Sequence, residues 1–267
     1  MCFELDAQPP DLPADRVLPS MAGGAAAESL TLTSGDGIGF AAALAESADP
    51  RGPAVLVLPD IRGLYRFYVE LAERLAEAGH DALAFDYFGR SAGAEPRGED
   101  FDYMEHVPQT TPEGVMADLA AARAALVERT GAAQVVTLGF CFGGTYSFFA
   151  GTRPELELTG AIGFYGLLNP SRSGKGSNRP SMIEHAPELT VPVLGLFGGA
   201  DQTIPEEDVA AFDRGLEQAG VPHEITVYPG APHSFFDKKS AEFADASADA
   251  WARLLDFLDR LPAPAAV

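Results

Sequence analysis

The sequence predicts an α/β fold with a mainly parallel central sheet and helices on both faces. Three observations predict it. From residue 54 onward, apolar runs of strand length alternate with stretches of helical period. The runs are short and continuously apolar, as strands covered on both faces must be. The residues with chemical potential fall just after such runs, at the carboxyl edge where open α/β sheets hold their ligands.

The elements follow in order. Residues 1–28 are rich in Pro, Ala and Gly without a sustained period, and are expected to form an N-terminal extension on the surface; residues 29–262 are expected to form one domain. "SLTLTS" and "IGFAAALAE", separated by "GDG", read as an antiparallel hairpin. "AVLVLPD" is a strand, followed by "YRFYVELAERLAEAG", where Tyr68, Leu71, Leu75 and Ala78 recur at helical spacing before a glycine stop. After the strand "ALAFD", the stretch "YFGRSAGAEPRGEDFDYMEHVPQTT" is too long and turn-rich to be a simple connection. "PEGVMADLAAARAALVERTG" reads as a helix, "AQVVTLGF" as a strand and "FGGTYSFFAG" as the start of the next helix. The alternation continues through "GAIGFYG", "VPVLGLFGG", the helix "PEEDVAAFDRGLEQAG", the strand "HEITVYPG" and the helix "SADAWARLLDFLDRL". Residues 169–189 form a second long loop at the carboxyl edge, and both long loops are lid candidates.

Composition narrows the function. The chain has 267 residues, within the range of one α/β domain, and 46% hydrophobic residues, enough for a sizeable core. With 39 acidic against 18 basic residues the net charge is -21, which repels nucleic acid and anionic membranes. Two cysteines, Cys2 and Cys141, make no disulfide framework and fit a reducing cytoplasm. The N-terminus lacks the basic start and apolar run of a signal peptide, and no stretch nears the roughly 20 apolar residues of a membrane span. A soluble monomer or weak homo-oligomer is expected, with no metal, because Cys141 has no second cysteine or close histidine in sequence, and no cofactor.

The chemistry centres on "LGFCFGG". A cysteine in G-x-C-x-G between a strand and a helix is the cysteine form of the nucleophile elbow, with Gly139, Gly143 and Gly144 as the small neighbours. The helix start favours a thiolate at Cys141, and the Phe142 N–H suits an oxyanion. A small, inert, buried cysteine is the alternative. A nucleophile needs a base and a group to orient that base. Of five histidines, His80 and His223 sit at the amino edge, His106 and His185 lie in loops without a fixed frame, and His233 in "YPGAPHSFF" emerges at the carboxyl edge. Asp201 in "FGGADQTIP" offers the carboxylate, with helix capping as its alternative role. The order Cys141, Asp201, His233 is that of the α/β-hydrolase fold, each residue following a successive strand.

These residues resemble the dienelactone hydrolase (carboxymethylenebutenolidase) family of cysteine α/β-hydrolases over roughly residues 30 to 260, through "GFCFGG", "GGAD", "GAPHSFF", "VLPDIRGL" and "DYFGRSAG". The resemblance implies a second oxyanion donor in the Ile61 N–H. It implies a nucleophile-tuning role for Asp60, where the family carries the longer glutamate; a plain turn residue is the alternative. Arg90 in "DYFGRSAG" matches an arginine that binds the substrate carboxylate, a task suited to a planar fork. The family's second such arginine has no counterpart in "HSFFDKK", and Arg62 is the candidate replacement charge, against the alternative of a solvated mixed-charge rim. Tyr87, Phe88 and Tyr165 are expected to line an aromatic pocket with Phe140 and Phe142.

A thiolate leaves a tetrahedral intermediate more readily than an alkoxide does. Cysteine therefore selects substrates that expel a stabilised anion, such as enol lactones, aryl esters and thioesters, with His233 activating water for deacylation. The expected activity is hydrolysis of small activated esters or lactones, carboxylate-bearing ones among them. The alternatives are a broader esterase or thioesterase for neutral substrates, and a non-catalytic ligand-binding or redox-sensing protein using Cys141.

Overall fold

The computed structural model describes residues 7–98, 100–173 and 178–261. Its strands are β1 (Glu28–Thr33), β2 (Gly39–Ala45), β3 (Ala54–Leu58), β4 (Ala82–Phe85), β5 (Val135–Phe140), β6 (Gly160–Phe164), β7 (Val193–Gly198) and β8 (His223–Tyr228). Its helices are α1 (Arg66–Glu77), α2 (Gly89–Ala92), α3 (Tyr103–His106), α4 (Pro112–Thr130), α5 (Phe142–Ala150), α6 (Met182–His185), α7 (Glu206–Ala219) and α8 (Ala244–Arg260). The strands form one sheet in the order β1-β2-β4-β3-β5-β6-β7-β8. The hairpin β1–β2 and the junction of β2 with β4 are antiparallel, and the pairs from β4 to β8 are parallel. This is the α/β architecture that the alternating sequence predicts.

Burial explains the sequence pattern. Every residue of β3, β4, β5 and β6 is buried, as strands covered on both faces must be, so their sequences run apolar without alternation. The two edge strands differ: β1 alternates between exposed and half-buried residues, and β8 is half-buried for most of its length. In α1 the buried residues Phe67, Tyr68, Leu71, Ala72 and Leu75 recur at three- and four-residue spacing and form the stripe that faces the sheet.

The N-terminal segment corrects an expectation. Residues 7–27 are not a surface appendage: Leu12, Leu18 and Met21 are buried in the core, and the Trp251 indole of α8 donates to the Pro10 carbonyl at 3.0 Å. Turn-rich sequence hides this, because three isolated apolar residues have no period to read.

The strand order places the site. β3 has β4 on one side and β5 on the other, so the loops leaving β3 and β5 lie next to each other at the point where the connections change direction. Leu58 pairs with Gly139, and the Gly143 N–H donates to the Pro59 carbonyl at 3.0 Å, tying the first turn of α5 to the loop after β3.

Candidate active site

One residue, Cys141, separates β5 from α5. It has φ 50° and ψ −108°, a left-handed conformation that costs a non-glycine residue on the order of 1–3 kcal/mol. The turn is possible because its neighbours lack side chains. A Cβ on Gly139 would strike the Gly143 carbonyl, and one on Gly143 would strike the carbonyls of Leu58 and Pro59, all rigid backbone. The Cys141 N–H donates to the Phe164 carbonyl at 3.0 Å, which braces the elbow from the opposite side. Cys141 is 9% exposed, so little of it meets solvent. The first N–H groups of a helix have no partner within it, and Phe142 opens α5. Its N–H therefore lies beside the cysteine at the positive end of the helix. Ile61 is half-buried in the loop after β3, across the junction from Cys141.

Asp201 follows β7, and His233 follows β8. His233 Nδ1 and Asp201 Oδ2 are 2.6 Å apart, with the carboxylate almost wholly enclosed. The other oxygen, Asp201 Oδ1, accepts from the Thr203 N–H at 2.8 Å and the Ile204 N–H at 3.3 Å, so the carboxylate cannot rotate away. With Nδ1 donating to the carboxylate, Nε2 is the nitrogen left with a lone pair. The loops after three parallel strands thus carry the cysteine, the carboxylate and the histidine. Of the other histidines, His80 is buried with Nδ1 at 3.0 Å from the Pro53 carbonyl, and His106 stacks on Phe101.

Residues 40–261 match the family model described as the dienelactone hydrolase family. The chain belongs to that family. Membership makes it a hydrolase of ester or lactone bonds. A candidate carboxymethylenebutenolidase of Methylorubrum extorquens is 32% identical over 211 residues, 77% of this chain and 71% of that one. A candidate 2-oxo-3-(5-oxofuran-2-ylidene)propanoate lactonase of Bradyrhizobium is 31% identical over 213 residues, 78% of this chain and 84% of that one. Among solved structures, a candidate dienelactone hydrolase from Klebsiella pneumoniae superposes with a TM-score of 0.76 at 27% identity, covering 88% of this chain and 99% of that one. An acylaminoacyl peptidase of Pyrococcus horikoshii shares the fold alone, with a TM-score of 0.74 at 15% identity and 42% of its chain covered.

Within this dienelactone hydrolase family member, Asp60 is the hub of a buried polar network. Its carboxylate accepts from the Arg62 N–H at 2.8 Å, from Arg62 Nη2 at 3.4 Å, and from the hydroxyls of Tyr65 at 3.2 Å and Tyr68 at 2.8 Å. Among the described residues these partners, not the Cys141 sulfur, satisfy it. Burial raises the Asp60 carboxyl above the usual range, against the pull of Arg62. Arg62 is itself only 6% exposed, its guanidinium 3.6 Å from the centre of the Tyr65 ring.

The predicted pocket residues take different places. Tyr87 stacks on Phe142 with ring centres 4.7 Å apart and donates its hydroxyl to the Asp60 carbonyl. Phe88 is fully buried behind it, against Phe101 and His106, so it supports the wall rather than lining it. Tyr165 packs its ring at 4.9 Å from the His233 ring and turns its hydroxyl to Asp237 at 3.2 Å. Arg90 is tied to two acids of the protein itself. Its Nη1 is held by Asp36 at 2.7 Å and its Nη2 by Asp118 at 2.8 Å and the Gly114 carbonyl at 3.1 Å, while its buried Nε has no hydrogen-bond partner among the described residues. The sequence matched the position but could not show that an acidic hairpin turn and an acidic helix converge on it.

Sequence reasoning gave no role to Asp237 and no polar role to Tyr68. Asp237 is 2% exposed, and burial, followed by the charge of Asp60, pushes its carboxyl up to about 7. Tyr68 reads as one apolar position of a helical stripe, although a buried tyrosine hydroxyl needs a partner and so signals a polar group beneath it. Arg179, in the second long loop, sits over the Phe142 ring at 4.8 Å. That loop meets the first through Asn178 Nδ2, 3.3 Å from the Pro108 carbonyl. Four non-glycine residues have positive φ among the described residues, and three of them, Cys141, Tyr165 and Ser234, belong to or adjoin this site. Among the described residues no cluster of three or more His, Cys, Asp or Glu is arranged for a metal, and no helix is long and apolar enough to cross a membrane.

Proposed function

We propose that the protein hydrolyses small activated esters or lactones through an acyl-cysteine intermediate, with Cys141 as nucleophile, His233 as general base and Asp201 as the group that orients the histidine. The observation that carries this reading is the 2.6 Å contact of His233 with a doubly anchored Asp201, on the strand edge that also bears the strained Cys141 elbow. His233 Nε2 takes the thiol proton, the sulfur attacks the carbonyl, and the N–H groups of Phe142 and Ile61 hold the oxyanion. Collapse expels the enolate, phenolate or thiolate, which carries off the proton held by His233. Water activated by His233 then attacks the acyl-cysteine and returns Cys141.

Arg62, fixed by Asp60, supplies the positive charge for a carboxylate-bearing substrate in place of Arg90. In this reading Asp60 tunes the nucleophile indirectly, by fixing the position of Arg62 and offsetting its charge. A second reading, a neutral substrate, is favoured by the engagement of Arg90 and by the ion pair between Arg62 and Asp60.

Turnover of an aryl ester and of a carboxylate-bearing enol lactone, with intact-mass detection of the acyl adduct, tests the proposal. Wild type is expected to turn over at least one substrate and carry the adduct, and Cys141→Ala to do neither. An adduct that survives in Cys141→Ala removes the cysteine mechanism. The ratio of the two substrates separates the charged from the neutral reading.

A further inference from the structure

Asp237, four residues after His233, is a buried acid with no part in the steps above. One carboxyl oxygen accepts from the Lys238 N–H and the other from the Tyr165 hydroxyl at 3.2 Å. Tyr165 lies at φ 37°, and its ring packs against His233. Asp237 is thereby joined through one side chain to the histidine at the site. The charged and titratable groups that act on it are Asp60, which repels its ionised form, and His233 and Tyr165, which favour that form. The field of Asp237 in turn reaches Arg62 and Tyr68. The guanidinium of Arg62 thus feels two buried carboxyl groups, Asp60 and Asp237.

Such a set cannot accept another anion without adjustment. If both carboxyl groups are ionised, one positive charge faces two negative ones, and an arriving substrate carboxylate makes three beside largely buried groups. Removing one negative charge restores the balance. Asp60 is anchored by five hydrogen bonds from Arg62, Tyr65 and Tyr68, all of which favour its ionised form against the burial that raises it. Asp237 has two, and one of its partners is a tyrosine hydroxyl that can reverse to accept from a protonated acid.

We propose that Asp237 is a specificity-determining residue, a buried acid whose uptake of one proton from solvent accompanies the binding of a carboxylate-bearing substrate beside Arg62. Protonated, it leaves Arg62 to face one internal carboxylate and the substrate. Ionised, it turns the site against anions and leaves neutral esters unaffected. The carboxyl's rise to about 7 puts this exchange within the working range of a cell. The inference rests on the ester hydrolase reading only for its kinetic assay.

The test uses two aryl esters identical except for one carboxylate that stays ionised throughout. Specificity constants are measured from about pH 5.5 to about pH 8.5 on wild type and Asp237→Asn. In wild type the ratio of anionic to neutral ester is expected to fall by up to about tenfold per pH unit above 7, the signature of one coupled proton. In Asp237→Asn, whose amide mimics the protonated acid, the ratio is expected to stay flat. Because it is a ratio, a general loss of activity in the variant cancels. A wild-type ratio independent of pH overturns the proposal, and so does a slope that survives in the variant. If neither ester is turned over, the hydrolase reading fails separately. The proton coupling is then decided by calorimetry of benzoate binding to wild type above pH 7, in buffers of different ionisation heat. Uptake of a proton supports it, and no uptake overturns it.

Discussion

Replacing Asp201 with asparagine tests the core of the site with little change in shape. Asp201 Oδ1 accepts from the N–H groups of Thr203 and Ile204, so in Asp201→Asn the amide oxygen must take that position. The amide NH₂ then faces His233 Nδ1, where the carboxylate stood at 2.6 Å. A donor there obliges Nδ1 to accept, which moves the ring proton to Nε2 and removes the lone pair that would deprotonate Cys141. The charge that stabilises the imidazolium is lost as well. For a base held in the wrong tautomer, a fall in kcat on the order of 10³–10⁴-fold is expected, equivalent to about 4–5.5 kcal/mol of transition-state stabilisation. Stability should change little, because both backbone hydrogen bonds are kept. The assay is single-turnover acylation by an activated aryl ester, with denaturant unfolding alongside. If Asp201→Asn acylates at more than about a tenth of the wild-type rate while folded, Asp201 does not fix the tautomer of His233 and the catalytic assignment is wrong.

Three further outcomes follow from the same geometry. Gly143→Ala drives a Cβ into the carbonyls of Leu58 and Pro59, which cannot yield separately from the sheet; a loss of about 3 kcal/mol or more is expected, read by denaturant unfolding or by failure to accumulate soluble protein. Arg62→Gln leaves Asp60 buried without its cation and should cost about 3 kcal/mol at pH 8, with a smaller cost at pH 5, where Asp60 can take a proton; equal costs at both pH values would contradict the buried ion pair. Asp237 is raised from 3.8 to about 7, so the folded state holds a proton that the unfolded chain releases, and its contribution to stability falls as pH rises through that window. Asp237→Asn should therefore be more stable than wild type at pH 8, with the difference fading towards pH 5; the opposite trend in a urea titration would refute the sign.

Much of this was legible in the chain itself. The all-apolar runs of β3 to β6 follow from strands covered on both sides, and "FCFGG" reads as an elbow because a turn that tight excludes side chains next to the cysteine. His233 could be chosen among five because only it follows a strand at the carboxyl edge. The sequence does not show what depends on chain crossings. Arg90 matched a family arginine, yet Asp36 from the hairpin turn and Asp118 from α4 claim it from 54 and 28 residues away. Leu12, Leu18 and Met21 show no period and still reach the core.

By itself, the sequence determined the class of fold, the family and the order of the chemical groups, because these rest on local periodicity, turn sterics and motif spacing. Only the tertiary structure decided which charges are neutralised within the protein and which are left to face a ligand. Asp60 and Arg62, Tyr165, and Asp237 come from three loops far apart in the chain, and their ionisation depends on burial and on one another, quantities that exist only once the sheet has brought them together.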